Sequence, residues 1–438
     1  MARPNIIFYF SDQQRADTIT EELTPNLCAL AGEGIKYDNN FTCQPVCGPA
    51  RACIQTGVYG TENGCHINGI AVKNIDNNPL LAEIFKENGY NTAYVGKWHL
   101  ATDKFKMGGV NVETTAIPPV RRKGYDFWRA ADVLEFTSHG YDGYVFDENG
   151  NKCDFKGYRA DCINDYALEF LDKTDKNQPF FMFVSQIEPH QQNDRNCYEG
   201  YKPTVESYKN HPIPDDLNFL RGNYNKHYPD YLSQVNRLDY NVGKLVAKLE
   251  ELGIADNTII LYTSDHGCHF KTRNLEYKRS CHHSATHTPL IIKGGEFAGG
   301  KVEKRLTSLI DIPPTLLQMA GIAVPSHYRG EPLQSFVADS KKKHDAVYME
   351  ISESQVGRAI ITEKYTYAVK SLSPFVLKKS ASFYFDNFLY DNEADPNQKV
   401  NLIRSKKHKD IVREMRMKLK EKVREVEGKS VHIFNKII

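Results

Sequence analysis

The chain of 438 residues carries 56 basic and 55 acidic side chains, a formal net charge of +1. That balance excludes a protein that grips nucleic acid or a membrane surface through bulk charge, so any preference for anions must come from a local site. The length fits one large α/β domain and a smaller one.

Residues 5–10 (NIIFYF) are an apolar run typical of a strand buried on both faces of a parallel sheet. Ser11-Asp12-Gln13 follows at its carboxyl end, where open α/β sheets bind ligands; Asp at such a junction is otherwise an ordinary turn residue. Thr24-Pro25 opens a helix that Gly32 and Gly34 close. Residues 43–57 read CQPVCGPARACIQTG. Pro49 suits the first position of a helix, because its missing N–H would be unpaired there. Cys47 is then expected just before a helix N-terminus, where orphan N–H groups and the dipole favour negative charge. Arg51, one turn on, is expected to point back toward it.

A helix led by Asn78-Pro79 ends at Gly89, and a short strand over 92–95 delivers Gly96-Lys97-Trp98-His99. Residues 101–160 read as loops and short strands around a site. A helix over 160–171 leads to a buried strand over 179–186, which hands over to Pro189-His190. Residues 191–229 are a long polar excursion, and 230–252 an amphipathic helix ended by Gly253. The strand over 258–262 delivers Asp265-His266-Gly267; one more strand is expected over 289–292 and a helix over 311–319. A boundary is expected near 340, separating a catalytic domain (1–340) from a sheet-plus-helix unit (341–438). The latter has strands over 346–351, 358–362, 365–369 and 382–390 and a basic helix from about 406 to 426, its charges forming a solvated face. The ten cysteines include no C-x2-C pair, which argues against structural zinc. The N-terminal apolar run is too short for a signal-peptide core and no stretch approaches a membrane span, so reduced thiols and a cytoplasmic location are expected.

Four apolar strands thus end in polar clusters: Asp12-Gln13, Lys97 with His99, His190, and Asp265-His266. Strand ends of a parallel sheet share one edge, so the four are expected to meet. Asp12, Asp265 and His266 suit a divalent cation with mostly oxygen ligands, Ca²⁺, Mg²⁺ or Mn²⁺. Arg51, Lys97 and Lys278 supply positive charge for a tetrahedral oxyanion. His99 and His190 are candidates for proton transfer. Together they describe a site for hydrolysing an anionic ester. Cys47 taken alone is as readily a buried structural thiol. It does not fit a C-x5-R phosphatase loop, since Cys53 stands where the arginine would be.

Cys47-Gly-Pro49-Ala-Arg51, with Thr56-Gly57, resembles the C-x-P-x-R…T-G signature of the type I sulfatases in the alkaline phosphatase-like superfamily. The resemblance extends through Asp12, Gly96 to His99, Pro189-His190, Asp265 to Gly267, Lys278, Pro289-Leu290-Ile291 and the ending Leu389-Tyr390-Asp391…Asp395-Pro396…Asn401-Leu402. It implies a large, mostly parallel sheet flanked by helices with a smaller C-terminal antiparallel sheet. It further implies that Cys47 is converted by a maturation enzyme to formylglycine, an aldehyde whose hydrate is the nucleophile. Asp12, Gln13, Cys47, Asp265 and His266 would ligate one divalent metal, Ca²⁺ foremost. Lys97 and Lys278 would hold the sulfate, His190 would serve the departing oxygen, and His99 would take the proton that expels the covalent sulfate. His287, standing where an arginine is frequent, would be a further substrate contact.

Many relatives have a second aspartate in place of Gln13 and asparagine in place of His266, so the metal site here is less anionic, which could favour Mn²⁺. Ala50 replaces the commoner serine, which bears on which maturing enzyme accepts the chain. The expected substrate is a sulfated carbohydrate, with a glycosaminoglycan-derived hexosamine as the specific guess. The alternatives are a phosphodiester or phosphonate monoester hydrolase of the same superfamily, whose members share the Asp-Gln and Asp-His combination, and a non-catalytic binder of sulfated glycans.

Overall fold

Ile6, Phe8 and Phe10 face one side of strand β1 (Asn5–Ser11), Ile7 and Tyr9 the other, and all five are fully buried. Burying each such side chain contributes about 1.5–3 kcal/mol, which is why this run forms the middle of the fold. The computed structural model describes residues 3–373 and 377–435. In chain order the next strands are β2 (Ile35–Tyr37), β3 (Asn40–Phe41), β4 (Asn91–Lys97), β5 (Phe127–Ala131), β6 (Asp142–Asp147), β7 (Lys152–Lys156), β8 (Phe180–Ser185), β9 (Thr258–Ser264), β10 (Leu290–Lys293) and β11 (Lys301–Glu303). All but β3 join one ten-stranded sheet in the order β11-β2-β10-β9-β1-β8-β4-β5-β6-β7. Its centre, β9-β1-β8-β4-β5, is parallel; β10, β6 and β7 are antiparallel additions. The sheet thus absorbs the short strands expected within 101–160.

Helices Arg159–Lys173 and Tyr224–Glu251 cover the face carrying Ile7 and Tyr9. The long helix starts earlier than the expected residue 230. Tyr224, Tyr228 and Tyr231 share one face and bury beside Phe270, so Pro229 is carried inside the helix.

After the short pair of β12 (Thr307–Ser308) with β3, the C-terminal sheet follows. It consists of β13 (Val347–Ile351), β14 (Gly357–Ile361), β15 (Tyr365–Lys370), β16 (Phe383–Asp391) and β17 (His432–Phe434), in that spatial order. It is antiparallel except for the β16–β17 edge, and helix Lys409–Glu427 buries Val412, Met415, Leu419 and Val423 against it. Strand β17 is a short edge whose outer residues are exposed, and no sequence pattern announces it. Among the described residues no helix is long and apolar enough to cross a membrane.

The C-terminal sheet matters for the site because it grips the signature loop. Glu350 N–H donates to the Cys43 carbonyl (3.0 Å) and Gln44 Nε2 to Ser352 Oγ (2.8 Å).

Candidate active site

The register of the central strands sets the site. Phe10 and Gly96 both pair with Ser185, and Ser11 pairs with Ser264. Residues 12, 97 and 265 therefore leave the sheet side by side. Gly96 is part of this geometry: at φ +100 a Cβ there would stand 1.9 Å from the Ser185 carbonyl oxygen. Only glycine lets β4 close on β8 and still aim Lys97 at Asp12.

Cys47 opens the helix Cys47–Thr56, every residue of which is buried. Small residues at 48, 50 and 52 allow that close packing, and Gly57 ends the helix at φ +69 against the Tyr328 ring. Pro49 occupies the third helical position rather than the first, still within the turn that needs no N–H bonds. Arg51 does not turn back to Cys47. Its guanidinium donates to Asp12 Oδ2 (3.0 Å), Ser185 Oγ (2.6 Å) and the Lys97 carbonyl (2.9 Å), and it lies over the Phe10 ring.

The four strand-end groups do meet. Ligand atoms of Asp12, Cys47, Asp265 and His266 all lie within 4.8 Å of one another. Lys278 donates to Cys47 Sγ at 2.6 Å and reaches His266 Nε2 at 3.0 Å. Lys97 Nζ sits 3.0 Å from Asp12 Oδ2 and 3.2 Å from Glu135 Oε2. His266 faces the Gly267 carbonyl through Nδ1 (2.9 Å); a carbonyl only accepts, so Nδ1 carries the hydrogen and Nε2 presents a lone pair to the cluster.

Charge crowding shows in the proton affinities. Burial and Asp12 raise the Cys47 thiol, but Lys278 and Lys97 outweigh them and bring it down to about 7. Burial opposes ionisation of Asp12 as well, yet Lys97, His190 and Arg51 hold it well below the carboxylate range. Asp265 is pushed up to about 7 by burial and by Asp12. Two carboxylates that resist joint ionisation, a buried Asp265 Oδ2 and a buried Gln13 Oε1, both without a hydrogen-bond partner, fit a divalent cation. The cluster is a possible metal site by its donor set.

Gln13, at φ 71, donates its backbone N–H to Asp265 Oδ1 (3.0 Å) and its Nε2 to Tyr198 Oη (2.7 Å). His190 Nε2 is 3.4 Å from both Lys278 Nζ and Tyr277 Oη, and its Nδ1 faces the Gln191 carbonyl. Burial lowers its pKa. His99, at φ 59, has a buried Nδ1 with no partner; burial and Lys97 bring its pKa down to about 4.

His287 stands apart from this group. It stacks on Phe41 at 5.1 Å, bonds the Asp38 carbonyl (2.6 Å), and lines a different cavity with Arg15 and Arg273. Glu135, which pairs with Lys97, is absent from the sequence-derived set; its one signal is a lone carboxylate in the apolar stretch Val133-Leu134-Glu135-Phe136. Sequence pattern is equally silent on the polar set beside Cys47: Asn68 Oδ1 accepts from Gly48 N–H (2.9 Å), and Glu353 ties Asn68 N–H (2.6 Å) to Arg279 (2.6 Å).

A family model described as sulfatase matches residues 4–322. The chain belongs to the sulfatase family. A second model, N-sulphoglucosamine sulphohydrolase C-terminal, matches residues 274–425. The sulfatase is similar to an ulvan-active sulfatase of Formosa agariphila, 29% identical over 97% of this chain and 82% of that one. It is also similar to an N-acetylglucosamine-6-O-sulfatase of Bacteroides thetaiotaomicron, 26% identical over 91% of this chain and 82% of that one. A solved structure, described in complex with its substrate D-glucosamine-2-N,6-O-disulfate, shares the fold with TM-score 0.80 and 24% identity, covering 98% and 99% of the two chains. The protein is therefore a sulfuric ester hydrolase of alkaline phosphatase-like fold, and the phosphodiesterase and glycan-binder readings are not favoured.

Proposed function

We propose that this sulfatase removes sulfate from a sulfated carbohydrate, a glycosaminoglycan-derived hexosamine in particular, through a formylglycine made from Cys47. The observation that carries the mechanism is that Cys47 Sγ lies inside the four-residue ligand cluster while Lys278 donates to it at 2.6 Å. Asp12, Asp265, His266, residue 47 and Gln13 would hold one divalent cation, Ca²⁺ foremost and Mn²⁺ or Mg²⁺ as alternatives. When bound it supplies a Lewis acid that favours an alkoxide at residue 47.

The protein's own groups then divide the work. One hydroxyl of the hydrated aldehyde attacks sulfur, and the S–O bond to the sugar breaks. Lys97 and Lys278 hold the sulfate oxygens as charge moves to the leaving oxygen. His190 protonates or hydrogen-bonds that oxygen, with Lys278 Nζ 3.4 Å from its Nε2. Sulfate is now bonded to residue 47. His99 takes the proton of the remaining hydroxyl, the C–O bond to sulfate breaks, and the aldehyde returns to be rehydrated by water. Arg51 fixes Asp12 in place and adds charge against the developing anion.

The carbohydrate assignment draws support from the names of the two relatives and from the polar set of Asn68, Glu353 and Arg279 that is tied to Gly48 beside Cys47. Mass spectrometry of the tryptic peptide ending at Arg51, from protein made in its own host, should show the change of –CH₂SH to –CHO. An unmodified thiol in active protein overturns the mechanism. Sulfated mono- and disaccharides should turn over selectively against simple aryl sulfates; equal rates on all would remove the sugar assignment. A formylglycine-generating enzyme able to accept Ala50 is the implied partner, and co-expression with one should raise activity.

A further inference from the structure

A cavity of about 710 Å³ holds none of the residues of the Cys47 centre. Its walls come from the Arg15–Asp17 turn, from Phe41, from residues 273–287 and from the C-terminal segment ending in Gln398. Three polar atoms in this lining are buried with no partner: Arg273 Nε, Ser284 Oγ and Gln398 Nε2. Gln398 is 2% exposed and Ser284 6%. The amide of Gln398 has a fixed sense, because its Oε1 accepts from His283 N–H at 2.9 Å. Its NH₂ is therefore the open end.

Arg273 is held by the carbonyls of Asn397 and Gln398, each at 2.9 Å. No carboxylate among the described residues forms an ion pair with it, and burial lowers its pKa below the ordinary arginine value. The lining acids have other duties. Asp17 and Asp216 close on Arg15 at 2.5 and 2.8 Å, Glu363 pairs with Lys343, and Asp215 accepts from Asn218. Lys304 adds a cation, and the stacked rings of Phe41 and His287 give an apolar wall. All three open groups can donate. Buried donors without acceptors are costly and rare in folded proteins, so the missing piece is a group rich in acceptor oxygens.

We propose that this cavity is a second, non-catalytic site for an oxyanion, a sulfate or a carboxylate, either free or carried on a sugar. It would give His287 a role outside the reaction centre, as a wall of this cavity. Free sulfate would make it a site for the reaction's product; a sugar-borne group would make it a hold on a longer saccharide.

Equilibrium dialysis of the full matured chain with radiolabelled sulfate tests it. The wild type should bind two sulfates per chain. Gln398→Glu keeps the acceptor for His283 and replaces the open donor with a carboxylate; it should weaken the second sulfate by about tenfold or more. Ser284→Ala should weaken it by about threefold and carries the test if Gln398→Glu fails to fold. In both variants turnover of a simple aryl sulfate should stay within about twofold, since neither residue touches the Cys47 centre. A sulfated uronate-hexosamine tetrasaccharide that displaces the second sulfate at much lower concentration than unlabelled sulfate points to the sugar-borne group; displacement only at equal concentration points to free product. A single sulfate per chain in the wild type, or a second one untouched by either variant, overturns the proposal. Loss of turnover on every ester with the second sulfate still bound would instead sink the function proposed for Cys47 and leave this site standing.

Discussion

Asp12 and Arg15 lie three residues apart on one turn, and each is the buried hub of an ionic cluster. The Arg15 cluster is closed. Its guanidinium donates through Nε and Nη2 to Asp17, through Nη1 and Nη2 to Asp216, and through Nη1 to the Cys268 carbonyl. The Asp12 cluster is more deeply buried and as rich in contacts, yet Asp265 Oδ2, Gln13 Oε1, Arg51 Nε and His99 Nδ1 have no hydrogen-bond partner. A buried network whose members are all satisfied fixes a loop; one with several free valences in a single place is built around something else.

The sharpest way to break that contrast is to cut each hub. Cys47→Ala should lower sulfate ester turnover by on the order of 10⁵ or more, as loss of a nucleophile does, while the protein melts within a few degrees of the wild type. Arg15→Ala should do the reverse. It leaves Asp17 and Asp216 without their cation and should cost about 2–4 kcal/mol of stability, discounted for the partial exposure of Asp17, with turnover of the folded enzyme falling less than about tenfold. Arg15→Ala protein of normal stability and no activity would mean that closure of a cluster says nothing about its role.

Chelation probes the open valences directly. Removing divalent cations should lower turnover by about 10³-fold or more, with recovery on adding back one cation. It should also lower unfolding stability by about 2.7 kcal/mol relative to protein held at a hundredfold excess over Kd. Turnover and melting unchanged by chelation would leave the four-ligand cluster without its assigned occupant. Comparing Ca²⁺, Mn²⁺ and Mg²⁺ in the recovery would show whether Gln13 and His266, in place of more anionic or neutral amide ligands, shift the preference.

The two histidines separate by leaving group. Protonating the departing oxygen matters most when that oxygen is a poor leaving group, so His190→Ala should lower turnover of an alkyl or sugar sulfate by about 10²–10⁴-fold and that of 4-nitrophenyl sulfate far less. His99→Ala should slow both alike and leave sulfate covalently on residue 47, visible in the intact mass. Equal leaving-group sensitivity in the two variants would exchange or merge their roles.

The sequence made the parallel centre and the catalytic edge legible for one physical reason. A strand buried on both faces is mostly apolar, so the charged residue at its end stands out: Asp12 after NIIFYFS, Lys97 closing β4, Asp265 after β9. Glu135 and the Asn68–Glu353–Arg279 set were not legible, because each owes its position to a contact between segments far apart in the chain. Helical spacing alone places Arg51 against Cys47; in the fold its long side chain crosses to Asp12, where a full carboxylate outcompetes a thiol. The resemblance offers His287 as a substrate contact, but position in a motif does not fix which side of a loop a side chain faces.

The smallest expected effect lies where the C-terminal sheet holds the signature loop. Glu350 is fully buried and accepts from Thr61 N–H (3.0 Å) and the Thr61 hydroxyl. Burial pushes its carboxyl up to about 7, against the pull of Arg358, which lies closer to Glu427 (2.7 Å). The folded protein therefore holds this proton more tightly than the unfolded chain, whose carboxyl titrates near the ordinary glutamate value of about 4.3. The stability this contributes is fully present below the unfolded value and is lost as pH rises through about 7. Glu350→Gln keeps an acceptor for Thr61 and cannot ionise. Between about pH 5 and pH 8 the variant should lose about 1–3 kcal/mol less unfolding stability than the wild type, measured by denaturant titration at each pH. Turnover at its optimum should not change, because the backbone bond from residue 350 to Cys43, not the carboxyl, positions the loop. Parallel stability profiles would show that Glu350 stays ionised throughout. A variant whose turnover falls with its stability intact would place Glu350, like the open valences around Asp12, within the machinery of the site.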